Sequence, residues 1–166
     1  MPGARRLVQI VMLSQKTRYT IRALQHLADL WRTGPVRLDA IAEGQNIPRK
    51  FLTVILSELV REGVVISHRG REGGYELALA PCDVRYGDII RLTRGSLALV
   101  PCASRYAHEH CANCLPEADC RLRGLMLKLR DEMAAVLDQL TLADAIEIEA
   151  PFARPLPASE APGEAE

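Results

Sequence analysis

IPRKFLTVILSELVREGVVISHRGREGGYELAL, residues 47–79, changes its hydrophobic period part-way along, and that change decides the fold. Phe51, Leu52, Ile55, Leu56 and Leu59 recur at helical spacing and predict a helix with a buried stripe. Pro48 suits the first turn of that helix, where a missing N–H costs nothing, and Gly63 is its expected C-terminal cap. Val64-Val65-Ile66 then has strand character, and Tyr75, Leu77 and Leu79 alternate as strand residues do. Between the two runs lies Arg69-Gly70-Arg71-Glu72-Gly73-Gly74, basic and rich in glycine. Glycines at a hairpin tip permit positive φ and close backbone approach.

Upstream, Ile21, Leu24, Leu27, Ala28 and Trp31 predict a first helix over residues 14–33, stopped by Gly34-Pro35. A second, short helix runs from Leu38 to about Glu43 with Leu38, Ile41 and Ala42 on one face, and the segment from Gly44 to Ile47 turns the chain. Two helices joined by a tight turn make a helix-turn-helix, whose second helix enters the major groove of DNA. Arg49, Lys50, Thr53 and Ser57 lie off the apolar stripe. Arg and Lys suit guanine edges or phosphates, and Thr can reach bases. Read blandly, these are a solvated helix face and an ordinary surface turn. A basic hairpin directly after the helix favours a winged helix, with Arg69 and Arg71 on phosphate or in the minor groove.

Downstream, residues 81–101 are expected to hold a connecting helix, 102–120 a cysteine-rich loop, and 121–150 a dimerisation helix with its end segment. Leu122, Met126, Leu129, Met133, Val136 and Leu140 step by four and three, an a/d seam. Such a stripe must be covered, either by a second copy or by the first helix of the same chain. Residues 1–11 read as an extension ahead of the 12–80 DNA-binding unit, and 151–166 as a disordered acidic tail. The fold class expected is mainly α: a winged helix-turn-helix with a small β-hairpin wing plus a long C-terminal dimerisation helix.

Cys102, Cys111, Cys114 and Cys120 fall within nineteen residues of weak periodicity. Thiolates are soft ligands that favour zinc or iron–sulfur clusters over hard cations, and Cys111-x-x-Cys114 can reach one centre. Three chemistries fit the residues: an iron–sulfur cluster, a tetrahedral zinc site, and a reversible Cys111–Cys114 disulfide. Cys82 is too isolated to join them.

The formal net charge is zero, but residues 12–80 carry ten Lys/Arg against seven Asp/Glu, whereas 142–166 carry one against six. A mildly basic head with an acidic tail is compatible with a small DNA footprint. No run approaches the roughly 20 apolar residues of a membrane span. The start, MPGARRLVQIVML, is interrupted by Gln9 and followed by no cleavage site, so a cytoplasmic protein is expected. No phosphate-binding glycine loop or H-E-x-x-H helix is present, His26 and His68 are scattered, and neither an enzyme nor a small-molecule substrate is expected.

The chain resembles the IscR/NsrR/RirA-type family of bacterial winged-helix iron–sulfur regulators. The stretches that carry the likeness run in family order over residues 12–145: Leu13 to Tyr19, Ile47 to Leu52, Arg69 to Tyr75, Tyr86 to Ile90, Cys114 to Leu122, and Leu137 to Asp144. The resemblance implies a homodimer on an inverted-repeat operator, with Lys16, Pro48, Arg49, Lys50, Thr53, Arg69, Arg71, Gly73 and Gly74 at the DNA. It also implies a 2Fe–2S or 4Fe–4S cluster, with Cys102, Cys114 and Cys120 matching the family's three cysteines. Some members take a fourth ligand from a histidine where this chain has Arg123, others from an acid where it has Arg18. All-cysteine ligation including Cys111 is therefore expected, with His108 or His110 as the substitute. Thr53 stands where some members carry a base-reading Glu, so a different operator is expected.

Overall fold

The computed structural model describes residues 13–111 and 114–144. Helix α1 (Gln15–Asp29) is capped by Ser14, whose hydroxyl accepts from the Thr17 N–H at 3.1 Å. It ends four residues before the expected point. Trp31 N–H bonds back to the Ala28 carbonyl and Thr33 N–H to that of Leu30, and Arg32 takes a φ of 66°, so the chain has already turned. Helix α2 (Leu38–Gln45) stops at Asn46, a left-handed C-cap whose N–H reaches the Ala42 and Glu43 carbonyls. Helix α3 (Arg49–Arg61) follows directly. Pro48 sits one place earlier than expected, at the N-cap, and its carbonyl accepts from the Leu52 N–H at 3.1 Å.

Leu24 and Leu27 of α1, Ile41 of α2, and Leu52, Ile55, Leu56 and Leu59 of α3 close one core. Phe51 does not belong to it. It is 59% exposed and packs edge-on to Tyr19 of α1 with ring centroids 6.3 Å apart. The interior stripe spaced at three and four residues starts at Leu52, and Phe51 lies one helical step around from it.

Strands β1 (Val65–His68) and β2 (Gly74–Leu77) pair antiparallel, Val65 opposite Leu77 and His68 opposite Gly74. Only Val65 and Leu77 are buried, so the hairpin is rooted at its base and free at its tip. A single extended residue, Val36, pairs with Tyr75 through two 2.8 Å backbone hydrogen bonds and adds an isolated bridge to the outer side of β2. This contact explains Gly74: a Cβ there would stand 2.5 Å from the Val36 carbonyl oxygen. Gly73 is equally confined, against the His68 carbonyl.

Helix α4 (Tyr86–Arg94) packs on α1. The Thr17 hydroxyl meets that of Thr93 at 3.0 Å, and the Gln25 amide donates to the Tyr86 hydroxyl at 2.8 Å. The helix is shorter than the 81–101 segment expected to contain it, because Gly95 ends it in the left-handed region. After a long loop comes α5 (Arg121–Leu137). The chain then returns along the front of α4: Tyr86 N–H bonds to the Leu140 carbonyl and Leu142 N–H to that of Val84, both at 3.0 Å. Arg91 holds Asp138 through two bonds of 2.7 and 2.8 Å. Gly87 leaves room for this pair, since a Cβ there would run into the Asp138 carboxylate.

The expected class, a mainly α winged helix-turn-helix with a hairpin wing and a long C-terminal helix, is the one found. Among the described residues no helix is long and apolar enough to cross a membrane. The 1–11 extension, most of the end segment after Asp144 and the 151–166 tail lie outside the described residues.

Candidate functional site

The face expected to meet DNA has two kinds of cation. Arg49 reaches back to α2, 3.1 Å from Asp39 and 3.8 Å from Glu43, and Lys16 crosses from α1 to Glu58 of α3 at 2.6 Å. Both therefore help to fasten the helices. Lys50, Arg69 and Arg71 are exposed, with no ion-pair partner among the described residues. Exposed unpaired cations release counterions when they meet phosphate and lose nothing already made. The Thr53 hydroxyl donates to the Arg49 carbonyl at 2.9 Å, so its methyl is the part left to face outward.

Helix α5 is built the opposite way from an ordinary amphipathic helix. Its polar side faces its own chain: Arg123 donates to the Cys102 carbonyl at 3.2 Å and Arg130 to that of Ala103 at 2.7 Å. The apolar seam faces outward, with Leu122, Leu129 and Val136 exposed and Met126 and Met133 half-buried. No α5 residue is fully buried. Leu140 lies beyond the helix and packs against the head's core, as does Leu137. The seam on α5 thus runs from Leu122 to Val136, and Leu140 belongs to the intrachain return.

The four clustered cysteines come together. Cys102, Cys111, Cys114 and Cys120 line one open pocket of about 430 Å³, with His110, Glu117 and Arg123 also in its wall. They are held differently. Cys102 is buried in a 3-10 turn (Pro101–Ala103) that Arg123 and Arg130 tie to α5. Cys120 is the N-cap of α5, and its Sγ accepts from the Arg123 N–H at 3.4 Å. Cys111 and Cys114 are exposed on the intervening loop. Cys82, by contrast, is exposed elsewhere and lines no part of this pocket.

The thiols restrain one another's ionisation. The hydrogen bond with Cys102 pushes the Cys111 thiol up, and desolvation followed by the nearby Cys120 charge pushes Cys114 up. Neighbouring sulfurs resist becoming anions together unless a cation sits among them. His108 and His110 both turn to Glu117, at 3.0 and 2.8 Å. Desolvation works upward on the Glu117 carboxyl, but His108 and Arg123 hold it below its usual range. Arg123 stands where some family members carry a ligand histidine, and the structure gives it contacts to protein atoms instead. Its place as the pin joining Cys102, Glu117 and Cys120 had no sequence signal beyond an arginine in the first turn after a cysteine.

A helix-turn-helix with a rooted basic wing, followed by a helix with its apolar seam outward, defines a winged-helix DNA-binding protein. The chain belongs to the Rrf2 family, described as iron-dependent transcriptional regulators, whose family model matches residues 13–148. It is 38% identical over 146 residues to an rrf2-like HTH-type regulator of Rhodobacter capsulatus, covering 86% of this chain and 97% of that one. It is 32% identical to the HTH-type regulator NsrR of Geobacillus kaustophilus, covering 82% and 90%. Among solved structures it is similar to CymR, the global cysteine regulator of B. subtilis, with a TM-score of 0.64 and 32% identity over 78% of this chain and 92% of that one. The IscR of T. potens gives a TM-score of 0.62 and 32% identity over 80% and 83%. The family read from the motifs is thus the family found, and its members are DNA-binding transcription regulators, not enzymes.

Proposed function

We propose that this chain is a cytoplasmic, homodimeric repressor of transcription that binds an inverted-repeat operator and is controlled by an iron–sulfur cluster on Cys102, Cys111, Cys114 and Cys120. One observation carries the reading: four thiols from a turn, a loop and a helix cap share one pocket. The donor set is soft and suits iron or zinc. Tetrahedral zinc, with Zn–S near 2.3 Å, needs its sulfurs within about 4 Å of one another. A cluster presents separate irons to separate thiolates, so the same four sulfurs suit it as well as a single ion.

When bound, the cluster supplies iron chemistry open to nitric oxide, oxidants or iron shortage. The chain's own residues do the rest. Cys120 caps the N-terminus of α5, and Arg123 keeps Cys102 and Cys120 in register. Because α5 begins at Cys120, the conformation of the loop and the first turn of the dimer helix are one equilibrium. A ligand shifts it only by binding one side better.

Anaerobic purification with iron and acid-labile sulfide analysis, followed by promoter binding before and after cluster removal, tests this. Iron and sulfide in the protein with a changed promoter affinity support it. Metal-free protein whose affinity is unaffected by reconstitution refutes it, and a Cys111→Ser protein with a full, stable cluster refutes that ligand.

A second reading has its own support: Cys111 and Cys114 are exposed neighbours in contact. A related protein, CymR of Staphylococcus aureus, has been solved in an oxidized form. Here the pair would form a disulfide, losing two electrons and two protons to an oxidant. Mass spectrometry of oxidant-treated, metal-free protein would detect the bridge.

A further inference from the structure

Two residues in the wall of the thiol pocket, His110 and Glu117, form with His108 a group that the cluster reading leaves unused. We propose that His108, His110 and Glu117 form a second, sulfur-free site for a divalent transition-metal ion. Glu117 Oε1 lies 2.8 Å from His110 Nδ1 and 3.0 Å from His108 Nε2, and the three ligand atoms all fall within 4.8 Å of one another. The imidazole rings are nearly perpendicular, at 89° with centroids 5.1 Å apart, so the rings splay while one nitrogen of each converges on the same oxygen.

The other carboxylate oxygen is engaged from behind. Arg123 Nε, whose N–H goes to the Cys102 carbonyl, stands 3.1 Å from Glu117 Oε2 as an ion pair, and His108 Nε2 also reaches that oxygen at 3.3 Å, so positive charge lies behind the carboxylate while Oε1 is shared by the two histidines. Second-sphere partners that orient a ligating carboxylate commonly contribute ten- to a hundredfold to metal affinity. Two imidazoles and one carboxylate suit Zn²⁺, Fe²⁺ or Co²⁺ and are a poor match for Mg²⁺ or Ca²⁺, which prefer oxygen throughout. His110 is exposed, leaving the outer positions of an ion open to water. An ion here would tie residue 108 to residue 117 across the loop that carries Cys111 and Cys114, and so narrow the region those thiols explore.

Cobalt(II) titration of the full-length, metal-free protein under anaerobic conditions tests the site, because sulfur-bound cobalt shows an intense charge-transfer band that nitrogen- and oxygen-bound cobalt lacks. The wild-type protein should bind one equivalent more than its charge-transfer band accounts for. His108→Ala and the near-isosteric Glu117→Gln should each lose that equivalent, or weaken it by tenfold or more, with the band unchanged. Arg123→Gln should weaken it by about tenfold. Cys114→Ser/Cys120→Ser should keep it, so this result stands or falls apart from the iron–sulfur reading. Unchanged stoichiometry in both His108→Ala and Glu117→Gln would reduce the triad to a hydrogen-bonded cluster. Loss of the charge-transfer band in those two variants would assign the histidines to the thiol site. Either result overturns the proposal.

Discussion

The head and the arm of this molecule stand at opposite ends of self-sufficiency. In the head, Leu24, Leu27, Ile41, Leu52, Leu56 and Leu59 are all nearly inaccessible to water, and the wing is rooted by Val65 against Leu77 and by the Val36–Tyr75 bridge. In the arm, α5 buries no residue completely and turns leucines outward. Next to it, the Cys111 and Cys114 thiols are both pushed above their ordinary range by neighbouring sulfur and desolvation. The head is finished by its own sequence. The arm carries exposed apolar surface on one side and clustered thiols on the other.

That contrast can be broken most sharply at the sulfurs. Cys120→Ser or Cys114→Ser should take iron and sulfide from near-stoichiometric to background in anaerobic preparations, while the helical circular dichroism of the head is retained. Next in size is the core of the head. Leu56→Ala should cost about 2–5 kcal/mol in urea unfolding, whereas Leu129→Glu should leave the head's stability nearly intact and move the protein from dimer to monomer in sedimentation. If both variants destabilise the head equally, the arm is not the open half of the molecule.

Gly74→Ala comes third. Its methyl would meet the Val36 carbonyl at 2.5 Å, and shifting backbone to make room should cost about 1–3 kcal/mol, read as a lower unfolding midpoint together with weaker promoter binding. The smallest effect is at the join between the two halves. Hydrogen bonding from Arg91 holds the Asp138 carboxyl below its ordinary range, against some desolvation. A depressed carboxyl contributes stability that is complete above its unfolded pKa, about 3.9, and lost as pH falls through the folded value. Asp138→Asn should therefore cost less than about 1 kcal/mol at neutral pH, since the pair is partly exposed and screened. The gap to wild type should close as pH drops below about 4 in urea titrations.

What the sequence disclosed followed the range of the interactions involved. Helices α2 and α3, the hairpin and the cysteine cluster announce themselves through local period, capping and density. Gly73 and Gly74 were legible as turn glycines, yet what confines Gly74 is Val36, far upstream, and no local pattern reports that. Phe51 looked like core because the helical stripe is ambiguous at its edge. Leu140 continued the four-three rhythm of the seam past the true end of α5. That end is followed at once by Asp138, whose partner Arg91 is 47 residues away. The cysteines were visible as a group, but that two are built into structure and two ride on an open loop required the fold. His108, His110 and Glu117 were individually visible, and their convergence on one oxygen was not.

The return of the chain along α4 has a mechanical consequence. Residues 138–142 are stitched to Arg91 and to the backbone of Val84 and Tyr86, so α5 is clamped to the head at its far end, and that clamp acts as a fulcrum. Its other tip, at Cys120, is about 25 Å away for a helix of 17 residues. A tilt of about 5° at the clamp would carry that tip roughly 2 Å, on a lever of this length.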